Sequence, residues 1–216
     1  MTLLALLTHP DAYRKAQAEV DAYYASRGSD GDSVIGYSDA KSLVYVQAAI
    51  REATRLWPPP AGLFSKQVPE GGDTLHGFRL PAGTEVGQSN YGIGRLPSLW
   101  GPDAAVFRPE RWLEAGPDQL REMQTANDLI FSSGKYLCLG KPIAQMEMGK
   151  LFVEVRPGPK LILPWNGKRA DLRRGGRKLL RRYNIAIANP PQPLKMRDPV
   201  TWLTTDFWIR FTRREK

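Results

Sequence analysis

Phe131-Ser132-Ser133-Gly134-Lys135-Tyr136-Leu137-Cys138-Leu139-Gly140 holds the only cysteine of this 216-residue chain. Glycines stand four residues before the thiol and two after it, which lets the backbone turn tightly and aim its amides at the sulfur. Hydrogen bonds of that kind stabilise the thiolate, the form that ligates a metal. An apolar helix is expected just beyond, and its positive N-terminal end favours the same anion. A lone cysteine is more often a small buried core residue. The glycine-framed loop favours the ligand reading over that one. A single cysteine forms no intrachain disulfide, which fits a reducing compartment.

Two stretches upstream carry related signals. In Tyr45-Val-Gln-Ala-Ala-Ile-Arg-Glu-Ala-Thr-Arg55-Leu-Trp57, apolar residues at Val46, Ala49, Ile50, Ala53 and Leu56 trace one helical face. Glu52 and Arg55 are three apart and therefore neighbours on that helix. Pro58 to Pro60 end it. An ordinary surface pair of this kind contributes little. The second stretch, Phe107-Arg-Pro-Glu-Arg111-Trp112, lies in a Pro- and Gly-rich region without periodicity. Arg111 is positioned to complete a Glu52–Arg55–Arg111 cluster in which guanidinium forks on one carboxylate pin the irregular segment to the helix.

Glu-x-x-Arg, then Phe-x-Pro-Glu-Arg-Trp, then the cysteine loop, in that order, resembles the C-terminal half of a cytochrome P450. Gly101-Pro102-Asp103-Ala-Ala-Val-Phe107 is similar as well. The likeness covers roughly residues 1–154 and 179–216, and the wording of the cysteine loop resembles filamentous-fungal members of specialised metabolism. The resemblance implies a mainly α fold with small β-sheets (α+β), with the N-terminal half of the domain missing. It implies haem b as cofactor, with Cys138 as the axial thiolate and Phe131 shielding the sulfur. Gly134 and Gly140 would shape the loop, and Lys135, Tyr136 and Lys66 would face the haem edge. Glu52, Arg55 and Arg111 would brace the haem-proximal side without touching substrate.

The implied activity is haem-thiolate monooxygenation of a lipophilic small molecule, using O2 and electrons from NADPH-cytochrome P450 reductase, in fungal secondary metabolism. Two alternatives stand beside it: a truncated, inactive family fragment, and a haem-thiolate dehydratase or isomerase. The sequence departs from the family at two points. Tyr136 stands where Arg or His usually reaches a propionate, and a phenol donates one hydrogen bond without charge. Gly94 stands where His often precedes the arginine, here Arg95.

Met1 to Pro10 resembles the last turns of the family's long distal helix, so the acid–alcohol pair that delivers protons to oxygen is expected upstream, leaving no catalytic residue on this chain. Leu3 to Leu7 is far too short to span a bilayer, which takes about 20 apolar residues. The expectation is a soluble, cytoplasmic chain without a transmembrane segment, whereas full-length relatives sit at the endoplasmic reticulum membrane. Ile143, Met146, Met148, Leu151, Phe152 and Val153 form an apolar surface expected to be partly exposed. Substrate contacts are expected only near Ala61 to Phe64 and Thr204-Thr205.

Residues 155–178 interrupt the family-like sequence. Pro157 and Pro159 forbid continuation of the helix expected over 142–154. Joining Glu154 to Leu179 restores an apolar face that runs into a strand. The segment has the character of a translated, retained intron, with an irregular surface loop as the rival. The net charge is +9, and this segment carries eight cations against Asp171, seven of the nine excess charges. A basic chain suggests nucleic-acid binding, but here the excess sits in one foreign run without an accompanying motif, so no nucleic-acid partner is expected.

Elsewhere, residues 11–24 read as a helix and 28–34 as a polar loop. Leu63 to Val68, His76 to Leu80, Thr84 to Ser89 and Trp202 to Phe211 read as strands. His9 and His76 lack metal-ligand spacing.

Overall fold

The computed structural model describes residues 1–27, 35–153, 179–197 and 203–214. The polar loop at 28–34 and the foreign segment at 155–178 lie outside the described residues.

Helix α1 (Thr2–Thr8) and helix α2 (Pro10–Ser26) are separated at His9, whose backbone leaves the helical region at φ −125°, ψ 84°. The cause is Pro10, which disfavours helical geometry in the residue before it and has no amide to continue the ladder. Along α2, Ala12, Ala16, Val20 and Tyr24 are buried at a spacing of four, one stripe of the helix. Helix α3 (Tyr37–Ser42) leads to helix α4 (Val44–Leu56). The carboxylate of Glu19, on α2, accepts the Tyr45 and Val46 amides at 2.9 Å each. This satisfies first-turn donors that have no partner within α4.

The expected apolar face of α4 is buried, but so are Ala48, Glu52, Thr54 and Arg55. The helix is enclosed on more sides than a one-sided apolar stripe predicts. It sits between two cores. The larger gathers Leu6, Val20, Val46, Ile50, Leu56 and Phe107, with Phe152, Val153, Leu180 and Ile185 from downstream. The smaller joins Ala48 to Trp100, Ala104, Trp112 and Met123.

Beyond α4 come β1 (Leu63–Gln67), β2 (Asp73–Leu75), β3 (Phe78–Leu80) and β4 (Glu85–Ser89). β1 pairs with β4 and β2 with β3, both antiparallel. The strand expected from His76 starts at Phe78 instead. His76 (φ 49°) and Gly77 (φ 83°) form the two-residue turn of the β2–β3 hairpin, because such turns need positive φ at both central positions. Short helices follow: α5 (Asn90–Ile93), α6 (Pro97–Trp100) and α7 (Arg111–Glu114), then α8 (Pro117–Asp128) and α9 (Lys141–Leu151).

Helix α10 (Leu179–Arg182) enters β5 (Tyr183–Ile187), which is followed by β6 (Lys195–Arg197), β7 (Leu203–Thr205) and β8 (Ile209–Arg213). β5 pairs with β8 and β6 with β7, again antiparallel. The single terminal strand expected over Trp202 to Phe211 is thus two strands serving different partners. Asp206, at φ 59°, turns the chain between them, a conformation that a short polar side chain tolerates. The architecture is helical with small two-stranded sheets, as expected of the α+β class. Among the described residues, no helix is long and apolar enough to cross a membrane.

On α9, Ile143, Met146 and Leu151 are exposed while Phe152 and Val153, just past its end, are buried. The expected apolar surface is therefore split between solvent and core. Gly149 lets α9 approach its neighbours: a Cβ there would lie 3.1 Å from the Gln47 side-chain amide and 3.8 Å from Ala40.

Candidate metal centre

The cysteine loop begins where α8 ends. Leu129–Phe131 and Gly134–Tyr136 form two tight 3-10 turns. Ser132, between them, takes φ 61°, and Gly134, which opens the second, takes φ 58°. Gly134 has open space where a Cβ would sit, so glycine is needed there for its backbone conformation and not for room. The positive φ at Ser132 has no counterpart in the sequence reading. Gly140 has an ordinary right-handed backbone. Its significance is proximity, since a Cβ at 140 would stand 3.7 Å from the Cys138 sulfur.

The Cys138 amide donates to the Phe131 carbonyl at 2.8 Å, closing the loop, and the Lys141 amide donates back to the Cys138 carbonyl at 3.2 Å. The thiol is exposed. Leu137 and Leu139 flank it and are exposed too, Leu139 at 94%. Phe131 is half-buried, with the Lys141 ammonium 5.5 Å from its ring centre. That ammonium is also paired with Asp128 at 3.0 Å.

Tyr136 occupies the position where the resemblance leads one to expect a cation. The structure brings two cations to it. The ammoniums of Lys66, on β1, and Lys135 lie 5.1 and 5.0 Å from the centre of its ring, within reach of a cation–π attraction. A second tie joins the same sheet to the loop: the Gln88 side-chain amide, on β4, donates to the Leu129 carbonyl at 3.1 Å. Of the stretches expected to meet substrate, Leu63 and Phe64 are exposed on β1 and Thr205 is exposed on β7.

The bracing cluster forms as expected and is larger than expected. Glu52 has no exposed surface and Arg55 has 1%. One Glu52 oxygen accepts Arg55 Nη2 at 2.7 Å, Arg111 Nε at 2.9 Å and the Arg108 amide at 3.0 Å. The other accepts Arg55 Nε and Trp112 Nε1, both at 2.9 Å. Apart from one Arg111 Nη1 bond to the Asp103 carboxylate, the remaining guanidinium bonds go to main-chain carbonyls. Arg55 donates to Gly94, to Ala104 at 2.5 Å and to Val106 at 3.2 Å. Arg111 donates to Trp100 at 2.5 Å and to Asp103 at 3.0 Å.

Two guanidiniums therefore clamp the irregular 94–106 segment onto α4, and the Arg55 fork also lies 4.9 Å from the Trp100 ring centre. The Asp103 carboxylate supplies a second negative charge, 3.1 Å from Arg111 and 2.7 Å from Arg108. Burial pushes the Asp103 carboxyl up, but the hydrogen bonds from Arg111 and Arg108 outweigh it and hold it below the ordinary carboxylate range. In the same way, burial raises Glu110, and its bonds from Lys15 and Tyr45 bring it below its ordinary value.

Gly94 has a steric explanation here: a Cβ at this position would lie 2.2 Å from the Arg55 carbonyl oxygen. No side chain fits while α4 and this segment stay in contact. Asp103, Trp112 and the Arg108 amide are cluster members that the sequence reading did not assign. Trp112 was foreshadowed only by adjoining Arg111. His9 and His76 stay apart from the site, His9 against Phe107 and His76 in its turn. Among the described residues, no three His, Cys, Asp or Glu side chains converge on a metal position. Any metal bound here would rest on the single thiol and on the group that carries it.

A mixed helical protein of small sheets is thereby defined, presenting one thiol on an open loop braced by a buried carboxylate–guanidinium clamp. Comparison with known proteins gives that arrangement a family. The family model described as Cytochrome P450 matches residues 1–155. The chain is 34% identical over 213 residues to Cytochrome P450 monooxygenase ABA1 of Pyricularia oryzae, covering 99% of this chain and 37% of that protein. It is 31% identical over 214 residues to aba1 of Botryotinia fuckeliana, with the same coverage. It is 39% identical over 152 residues to abl1 of Leptosphaeria maculans, covering 70% of this chain and 26% of that protein. The chain belongs to the cytochrome P450 family, and its relatives are monooxygenases of filamentous fungi. It spans a little over a third of the length of the first two relatives, 37% in each case.

The residues present are compatible with a haem: the exposed thiol could ligate iron, the exposed Leu137 and Leu139 would offer apolar contact, and the Lys66 and Lys135 ammoniums beside Tyr136 would suit carboxylates.

Proposed function

We propose that this chain supplies the thiolate side of a haem-thiolate monooxygenase acting on a lipophilic small molecule in fungal secondary metabolism. One oxygen atom of O2 enters the substrate and the other leaves as water, with two electrons from NADPH-cytochrome P450 reductase and two protons. Haem b, when bound, supplies the oxygen chemistry, and thiolate ligation favours O–O cleavage. By this reading Cys138 provides the thiolate, Phe131 packs beside the cysteine loop and Gly134 sets the loop conformation. Gly140 leaves the sulfur uncrowded. Lys66, Lys135 and Tyr136 hold the carboxylate edge, two mobile point charges and a phenol replacing one planar guanidinium fork.

Glu52, Arg55 and Arg111 fix the segment opposite α4 and touch neither substrate nor oxygen. Residues that deliver protons to oxygen are not assigned to this chain. The endoplasmic reticulum membrane is the proposed location of the whole enzyme, by likeness to its relatives.

The observation that carries this reading is the exposed Cys138 on a loop closed by its own amide to Phe131, within a chain of this family. The test is spectroscopic. The chain is reconstituted with haem, reduced and exposed to carbon monoxide. A red-shifted Soret band of thiolate ligation is expected, and Cys138→Ala abolishes it. A folded, haem-loaded chain without that band, or Cys138→Ala that keeps it, overturns the assignment.

A further inference from the structure

The Leu180 amide donates to the Phe152 carbonyl at 3.4 Å. In the written sequence these residues flank the whole of 155–178. If Glu154 is joined directly to Leu179, Leu180 becomes the fourth residue after Phe152, and a bond from amide i to carbonyl i−4 is the one that builds an α-helix. Phe152 keeps a right-handed backbone at φ −70°, ψ −21°. The Val153 amide bonds to the Lys150 carbonyl, three residues back, at 3.1 Å, a tightened turn past the end of α9. Phe152, Val153 and Leu180 are buried in one core. The two ends thus meet in helical register as though nothing lay between them.

The intervening residues differ in character from what surrounds them. They hold eight cations, one acid, Pro157 and Pro159.

We infer that α9 and α10 are two stretches of one helix, and that residues 155–178 are an insertion between them, translated from a retained intron. The chain joining Glu154 to Leu179 carries the same fold and is the form the gene is organised to encode.

The register makes this testable without haem, so its outcome is independent of the proposed role of Cys138. Three deletions are compared by thermal unfolding with the full chain: 155–178, 155–177 and 155–179. The first puts Leu180 four residues after Phe152, and the others put it five and three after. The in-register deletion is expected to unfold at or above the full chain's temperature, and both shifted deletions below it. Equal midpoints for the three, or an in-register deletion that is the least stable, overturn the inference. Transcript sequencing provides a readout that needs no folded protein. Reads joining codon 154 to codon 179 are expected, and reads that all retain the segment overturn the intron.

Discussion

Replacing Glu52 by Gln alters one atom of a side chain without exposed surface and removes the only charge that faces both Arg55 and Arg111 within the clamp. Three donors converge on one of its oxygens and two on the other. A glutamine must place an NH2 group on one side. The cheaper choice keeps the carbonyl for the three donors and turns the NH2 toward Arg55 Nε and Trp112 Nε1, which lose their acceptor. Arg111 retains the Asp103 carboxylate, whereas Arg55 keeps the neutral glutamine carbonyl through Nη2 and its main-chain carbonyls but faces no negative charge. Leaving one partner of a buried ion pair uncompensated costs about 3–5 kcal/mol. With a urea dependence of about 2 kcal/mol per M, a loss of about 4 kcal/mol lowers the unfolding midpoint by about 2 M. Domains of this kind have only about 5–15 kcal/mol in total. Trp112 bonds to the carboxylate itself, so tryptophan fluorescence in a urea titration reports the loss directly. Glu114→Gln is the control: its bond to Arg108 is largely exposed, and such pairs contribute about 0–1 kcal/mol. A Glu52→Gln midpoint shift no larger than that of Glu114→Gln would refute the clamp as a source of stability.

Gly94→Ala puts a methyl group into the Arg55 main chain. Because backbone cannot yield as a side-chain tip can, a loss of about 1–3 kcal/mol or more is expected in the same titration, while Gly116→Ala, where nothing lies near, changes far less. Asp103 and Glu110 both have folded-state pKa values below their ordinary ones. Their contribution is therefore complete above about pH 4 and is lost as pH falls through the lower folded values. Unfolding midpoints measured between about pH 6 and pH 2 should fall on acidification, and less steeply in Asp103→Asn combined with Glu110→Gln. Lys66→Ala and Lys135→Ala together should speed transfer of haem from the loaded chain to a haem-scavenging protein, with Tyr136→Phe having the smaller effect. An unchanged transfer rate in the double variant would remove the lysines from the carboxylate edge.

Much of the candidate site was legible in the sequence because its signals are local. Glu52 and Arg55 are neighbours by helical spacing alone, and the lone thiol with its flanking glycines stands out in one short stretch. Pro10 and Pro58 to Pro60 mark helix boundaries through the missing amide and the fixed φ. Local conformation departs from the sequence expectation where pairing overrides it. His76 lies in a two-residue hairpin turn that requires its left-handed backbone, and the expected single strand up to Phe211 is two strands that pair with β6 and β5 and part at Asp206.

What the sequence determined by itself was the candidate thiol loop, the helix α4 that carries the clamp, and the change in composition after residue 154. Each depends on residues a few positions apart or on composition. The tertiary structure decided that Glu52 is buried, that Trp112 and the Arg108 amide bond to it from more than fifty residues away, and that Asp103 joins the cluster through Arg111. It also decided that Gly94 has no room for a side chain, that Lys66 meets Lys135 at Tyr136, and that Leu180 closes on Phe152. Burial and long-range pairing depend on which segments pack together, and that is set by the sum of apolar contacts over the whole fold and not by the spacing within any one stretch.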